Sequence, residues 1–126
     1  MILVDTSVWI DHLRRGVPLL EGVLEEGQVL MHPFVLGEVA CGNIRNRVEV
    51  LRLLGDLPAA PTVTDREAVG FIERHALMGR GIGYVDVHLL ASTTMDGAAR
   101  LWTFDKRLAE VASGMKLAFE GKGRGR

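Results

Sequence analysis

Cysteine is almost absent from this chain of 126 residues, which contains only Cys41. A single thiol cannot form a disulfide within the chain, and a thiolate zinc site would need cysteine partners that the sequence does not supply. These absences exclude a disulfide-stabilised scaffold and a cysteine-rich zinc fold. They are typical of a protein from the reducing cytoplasm, which is where we expect this one.

Long apolar runs and an excess of charge of one sign are also missing. Charged residues or glycine interrupt the apolar stretches every few residues, so none approaches the ~20 residues of a membrane span. The first five residues, MILVD, lack the basic segment and apolar core of a signal peptide. Because 15 Lys and Arg oppose 16 Asp and Glu, any contact with nucleic acid must come from a local patch. We therefore expect a protein with no membrane association.

Nucleotide-binding and repeat signatures are absent as well. No glycine-rich phosphate-binding loop follows the first apolar run, and the chain shows neither an internal repeat nor a sustained heptad pattern. These absences argue against a P-loop or Rossmann nucleotide fold, a solenoid and a coiled coil.

The composition that is present belongs to a globular protein, with 48% hydrophobic and 25% charged residues. It predicts a single domain over residues 1–120 and a flexible basic tail over residues 121–126. Short apolar runs alternate with helical patterns, which favours an α/β fold with a parallel sheet of about four to five short strands flanked by helices. The predicted strands are 2–4, 29–31, 100–104 and 116–119.

Two helix starts can be predicted from local signals. Asp5 closes the first strand, and either Thr6 or Ser7 is expected to cap the first helix. Thr64 and Glu67 have the spacing of a capping box, in which each side chain accepts a bond from the other's backbone N–H. The helix that begins there is predicted to run to about Met78.

Four acidic residues stand out by their positions. Asp5 and Asp105 each follow an apolar strand, and the carboxyl ends of parallel strands are where sites assemble. Glu38 lies mid-helix among apolar neighbours, and Asp86 lies in the first turn of its helix. Taken singly, each could be an ordinary helix cap or a solvated side chain. If the four converge, their oxygen ligands favour Mg²⁺ or Mn²⁺ over zinc.

The segments around these acids carry a resemblance to a known family. In order and spacing, over nearly the whole chain, they resemble the four motifs of PIN-domain ribonucleases, most closely the VapC-type toxins of toxin-antitoxin pairs. The segments are VDTSVWI (4–10), GEV (37–39), GYVDVHLLA (83–91) and WTFDKRL (102–108).

The resemblance implies a fold, an activity and a site. The fold would be a PIN-like three-layer sandwich, and the activity Mg²⁺-dependent hydrolysis of RNA, with Mn²⁺ as a substitute. The catalytic and metal-binding residues would be Asp5, Glu38, Asp86 and Asp105, with hydroxyls from Thr6, Ser7 and Thr103 nearby. The implied partners are an RNA substrate, a cognate antitoxin protein and a second copy of the chain in a homodimer.

Several alternatives compete with this interpretation. A catalytically silent PIN-like module that binds RNA or protein would keep the fold, although all four acids are present here. A phosphoaspartate receiver domain would need a phosphoacceptor strand and a following lysine that the sequence does not show. Catalysis by Cys41 with a histidine is a further alternative. The sequence gives no pairing between the two residue types, and buried inert cysteines are common. Arg45 and Arg47, just after the Glu38 helix, are candidate RNA contacts, with ordinary exposed surface as the alternative.

Overall fold

The computed structural model describes residues 1–121, and within them it contains three strands and seven helices. The strands are β1 (Ile2–Val4), β2 (Val29–Leu30) and β3 (Arg100–Trp102). The helices are α1 (Thr6–Arg15), α2 (Pro18–Glu25), α3 (Pro33–Ala40), α4 (Arg47–Gly55), α5 (Asp65–His75), α6 (Tyr84–Asp96) and α7 (Lys106–Gly114). All of the predicted basic tail except Gly121 lies outside the described residues.

The sheet has the order β2-β1-β3, and both pairings are parallel. In the central strand, Leu3 pairs with Leu30 on one side and Leu101 on the other. Every residue of β1 is buried, as expected for a parallel strand covered by helices on both faces. The predicted α/β fold with a parallel sheet is confirmed.

The strand count differs from the prediction of four to five. Within the described residues the sheet has three regular strands, and two further segments join it through single parallel bridges, Met31 to Ala59 and Leu101 to Ala118. Pro58 and Pro61 flank the first bridge and lack the N–H groups that a longer ladder needs. Lys116, just before the second bridge, has a positive φ of 62°, so an extended strand cannot begin at that residue.

Two helix boundaries also differ from those predicted. The capping box is confirmed, because Thr64 Oγ1 accepts from the Glu67 N–H at 3.1 Å and Glu67 Oε1 from the Thr64 N–H at 2.8 Å. Its helix, however, ends at His75 rather than near Met78, since Ala76 takes the left-handed conformation. The cap of α1 is Asp5 itself, not Thr6 or Ser7, because its backbone is extended and its side chain accepts from Ser7 N–H.

The hydrophobic core lies between the sheet and the helices that cover it. Leu3, Trp9, Leu89 and Leu101 are among the largest fully buried side chains. Helix α1 packs against α3, and α5 packs against α6. Because α1 follows β1 directly and α7 follows β3, these packing contacts fix the polar residues at the strand ends relative to α3 and α6. Across residues 1–121, none of the helices is long and apolar enough to cross a membrane.

Candidate active site

Two of the predicted acids lie at neighbouring strand ends. Asp5 follows β1 and caps α1, while Asp105 follows β3 and caps α7, its Oδ1 accepting from the Leu108 N–H at 2.9 Å. Since β1 and β3 are parallel neighbours, both carboxylates lie at the same edge of the sheet. Asp5 is only 7% exposed, so its charge must be balanced by hydrogen bonds or a cation.

A small hydroxyl network holds the Asp5 carboxylate. Asp5 Oδ2 accepts from Ser7 Oγ at 2.7 Å and from Thr103 Oγ1 at 2.7 Å. Thr103 Oγ1 in turn accepts from the Asp105 N–H at 3.0 Å, and Ser7 Oγ accepts from the Phe104 N–H at 3.0 Å. Among residues 1–121 all side-chain donors to Asp5 use Oδ2, which leaves Oδ1 available for another ligand.

Glu38 reaches this edge from α3. Thr6 Oγ1, in the first turn of α1, donates to Glu38 Oε1 at 2.5 Å, so the packing of α1 on α3 is what positions the glutamate. Glu38 is solvent-exposed rather than buried among its apolar neighbours. With this contact, the three hydroxyl residues named from sequence all bond to one of the acids or to each other.

Asp86 completes the group from α6. Its Oδ2 accepts from the Gly83 N–H at 2.9 Å, which places the carboxylate in the first turn of the helix as predicted. Burial raises the pKa of Asp86 above its ordinary range, and the negative charges of Asp5, Asp105 and Glu38 raise it further, whereas the Gly83 N–H lowers it. All four predicted acids are therefore close enough to interact electrostatically at Asp86.

The four acids do not form a closed ligand cage. Within the described part of the chain, no three His, Cys, Asp or Glu side chains are grouped closely enough to hold a metal ion directly. A cation that keeps several water ligands, as Mg²⁺ does, fits this looser arrangement better than a fully coordinated zinc ion. The four acids offer only oxygen ligands, and their negative charges act on Asp86. Both features also fit Mg²⁺.

The basic residues proposed from sequence have different surroundings. Arg47 Nη1 donates to the Gly42 carbonyl at 2.8 Å, and its Nη2 donates to the Ala40 carbonyl, so this guanidinium caps the end of α3. Arg45 is exposed, and within residues 1–121 it has no ion pair or hydrogen bond. Of the two, Arg45 is the guanidinium that remains available to a ligand.

Cys41 is exposed rather than buried. No hydrogen bond joins its sulfur to a histidine among the described residues. The thiol therefore lacks the neighbouring base that a cysteine nucleophile needs.

Sequence patterns do not reveal a second cluster next to α6. Tyr84 Oη donates to Asp65 Oδ1 at 2.7 Å, and the buried His88 has Nε2 at 3.3 Å from the same oxygen. The Tyr84 bond lowers the pKa of Asp65. Nothing local in the sequence signals that Asp65 has a partner 19 residues away. This cluster ties the start of α5 to the first turns of α6, which carry Asp86.

Arg107 is a further residue near the site that sequence analysis did not single out. The backbone at Gly81 has a positive φ of 82°, and a Cβ there would lie 2.7 Å from Arg107 Cδ and Nη1. The arginine therefore packs directly on the loop that leads to Asp86, and the positive φ of residue 81 favours glycine there. Its position two residues after Asp105 is the one sequence signal that could have drawn attention to it.

Comparison with known proteins identifies the family of this chain. Residues 2–114 match the PIN domain. The chain is 48% identical to Ribonuclease VapC32 of Mycobacterium tuberculosis strains CDC 1551 / Oshkosh and ATCC 25618 / H37Rv, over 122 residues that cover 95% of this chain and 98% of each relative. The acidic edge described above lies within the matched region, and the chain belongs to the PIN-domain family, in its VapC-type branch.

Proposed function

We propose that this protein is a metal-dependent endoribonuclease that hydrolyses RNA phosphodiester bonds and is the toxin component of a toxin-antitoxin pair. The observation that carries the proposal is the interaction of Asp5, Glu38 and Asp105 with Asp86, whose pKa is raised first by burial and then further by these three charges. A site in which carboxylates repel one another electrostatically is suited to a divalent cation. The similarity to proteins named ribonucleases supports RNA as the substrate.

The proposed roles follow from the positions of the four acids. Asp5, Glu38, Asp86 and Asp105 would hold Mg²⁺, directly or through water, with Mn²⁺ as a substitute. When bound, the ion neutralises the phosphate and stabilises the leaving oxygen. Asp5 and Asp86 are the proposed main ligands, while Glu38 and Asp105 complete the charge and orient the attacking water.

The hydroxyl residues are proposed to position these acids. Thr103 and Ser7 bond to one oxygen of Asp5, which keeps the other oxygen directed away from the protein donors. Thr6 fixes one oxygen of Glu38. In hydrolysis, the oxygen of water attacks phosphorus and the bond to the leaving oxygen breaks. One proton of the water passes to a carboxylate or to solvent, and the leaving oxygen takes up a proton from solvent.

The remaining proposals concern assembly and location. We propose that residues 1–120 form one domain, that the protein acts in the cytoplasm, and that it binds a cognate antitoxin and pairs as a homodimer. Several large apolar side chains are exposed, including Val48, Leu53 and Val69, which is compatible with covered surfaces in an assembly. Light scattering over a wide concentration range tests the dimer, and a monomer throughout would contradict it.

Incubation of the purified protein with structured RNA tests the activity. We expect cleavage with Mg²⁺ or Mn²⁺, none with EDTA, and poor cleavage with zinc alone. Full activity after chelation would contradict the metal mechanism. RNA binding without cleavage under every metal condition would favour the alternative, a catalytically silent PIN-like binding module.

A further inference from the structure

Two adjoining cavities lie along one side of α1. One cavity of about 510 Å³ is lined by residues that include Ser7, Arg14 and Phe104. A second cavity of about 460 Å³ is lined by residues that include Arg14, Asn43 and Arg45. The two share Ile10 and Arg14, so they adjoin along α1, and we call the pair the α1 groove.

One end of the α1 groove meets the acidic edge. Ser7, which lines it, donates to Asp5, and Phe104, which also lines it, directly precedes Asp105. From Ser7 the groove continues to Arg14, about 10 Å further along α1 at the helical rise of 1.5 Å per residue. A strand lying in the groove would therefore have a phosphate at the acids and further phosphates beside the arginines.

The charge of the α1 groove is positive beyond the acids. Asp11 and Arg15 pair at 2.8 Å and cancel each other. Arg14 and Arg45 are both exposed, and within residues 1–121 neither has an ion pair or a hydrogen bond. Two unpaired guanidinium groups in one groove suit a phosphate backbone.

Phe104 adds an aromatic surface at the end near the acids. It is 49% exposed, although its neighbour Trp102 is buried and contacts it edge to face with 5.9 Å between ring centroids. Exposed aromatic rings stack with unpaired bases, whereas the bases of a duplex are already stacked on one another. The ring therefore favours a single strand over a duplex.

We propose that the α1 groove binds the single-stranded RNA segment on one side of the bond to be cut. Phe104 stacks on the base next to that bond, and Arg14 and Arg45 bind the following phosphates. The inference rests on the proposed ribonuclease function and assigns the track that its substrate follows.

Binding measured without cleavage tests this track. The probe is a fluorescein-labelled single-stranded RNA of mixed sequence, compared with its blunt duplex, and anisotropy is recorded in EDTA over a range of KCl concentrations. The variants are Arg14→Ala, Arg45→Ala and Phe104→Ala. Matched controls are Arg74→Ala, which removes an exposed arginine from α5, and Met78→Ala, which removes a side chain exposed to 54%.

The expected results distinguish phosphate binding by the arginines from base stacking on Phe104. Each arginine variant should weaken single-strand binding and reduce the slope of log K against log salt by about 0.7. Phe104→Ala should weaken it by about tenfold without changing that slope, and should not affect duplex binding. The controls should behave as the parent. Thermal unfolding checks that each variant folds, and Arg14→Gln, Arg45→Gln and Phe104→Leu replace any that does not.

Groove variants that bind like their controls would overturn the proposal, as would a loss on Phe104→Ala that is equal for single strand and duplex. Loss of antitoxin binding with unchanged RNA binding would also overturn it, because the groove would then be a protein-binding surface. Cleavage of RNA by the parent with Mg²⁺ is measured separately. A parent that cleaves while its groove variants bind normally refutes the track alone, whereas a parent that never cleaves refutes the proposed function.

Discussion

Thr103 Oγ1 donates to Asp5 Oδ2 at 2.7 Å across two neighbouring strand ends, although the residues are 98 positions apart in sequence. The same hydroxyl oxygen accepts from the Asp105 N–H at 3.0 Å. One threonine therefore connects the two strand-end acids. Its orientation fixes which oxygen of Asp5 is free, so the geometry of the acidic edge depends on a residue that need not touch metal or RNA.

Thr103→Val removes this connection while keeping the shape of the side chain. Because Asp5 would lose one of its hydrogen bonds, we expect the free energy of unfolding to fall by about 1–2 kcal/mol. RNA cleavage should fall by about tenfold, since the carboxylate would be less firmly oriented. Chemical denaturation and cleavage assays measure both effects. Thr62→Val, at an exposed site with no role in the acidic edge, is the control, and equal behaviour of the two variants would contradict the positioning role.

His32 gives the protein a pH-dependent stability. It is 1% exposed, and burial lowers its pKa from 6.5 to about 4, with the nearby His88 as a second cause. The unfolded chain therefore takes up a proton as pH falls through 6.5, whereas the folded protein resists until about pH 4. Stability should decline over this window by about 3 kcal/mol from this residue alone.

The matched variant is His32→Asn. His32 caps α3 by accepting from the Phe34 N–H at 3.0 Å, and asparagine can make the same cap without titrating. Urea denaturation at several pH values between 4 and 7.5 should show a shallower decline for the variant than for the parent. His75→Gln, at a half-buried site in the last turn of α5, controls for the loss of a histidine elsewhere in the protein. Parallel curves for parent and His32→Asn would refute this assignment.

Thr64→Ala should lower the stability of the protein without changing its RNA cleavage. The substitution removes one half of the capping box of α5, and we expect the free energy of unfolding to fall by about 1 kcal/mol. Cleavage per folded molecule should remain that of the parent, because Thr64 makes no contact with the four acids. Denaturation and cleavage assays on the same preparations check both statements. A cleavage rate that falls while the protein stays folded would show that the start of α5 controls the site through Tyr84 and Asp65.

The features predictable from sequence are those that depend on local patterns. Asp5 and Asp105 could be placed at one edge because each follows a short apolar strand, and parallel strands align their ends. The capping box of α5 was predictable because both of its residues lie within one turn. Glu38 and Asp86 stand out by their positions in helices, and the motif resemblance groups them with the two strand-end acids.

Other features depend on contacts between distant residues or on the backbone. The Thr6–Glu38 bond spans 32 positions and exists because α1 packs on α3, which no local pattern reveals. Arg47 could not be recognised as a helix cap from composition, since its bonds are to backbone carbonyls. The early end of α5 arises from a left-handed alanine, a conformation that sequence patterns assign to glycine or asparagine.

The most direct test of the acidic edge as a cation site is thermal unfolding of the parent and of Asp86→Asn, each in EDTA and in excess Mg²⁺. Since the pKa of Asp86 is raised in the folded protein, ionising it as pH rises through that pKa removes stability from the metal-free parent. The amide removes this cost and can still accept from the Gly83 N–H. We therefore predict that at neutral pH the variant is at least as stable as the parent in EDTA, and that Mg²⁺ raises its Tm less. A variant clearly less stable in EDTA, with the same rise in Tm on adding Mg²⁺, would contradict the account and make Asp86 a structural residue.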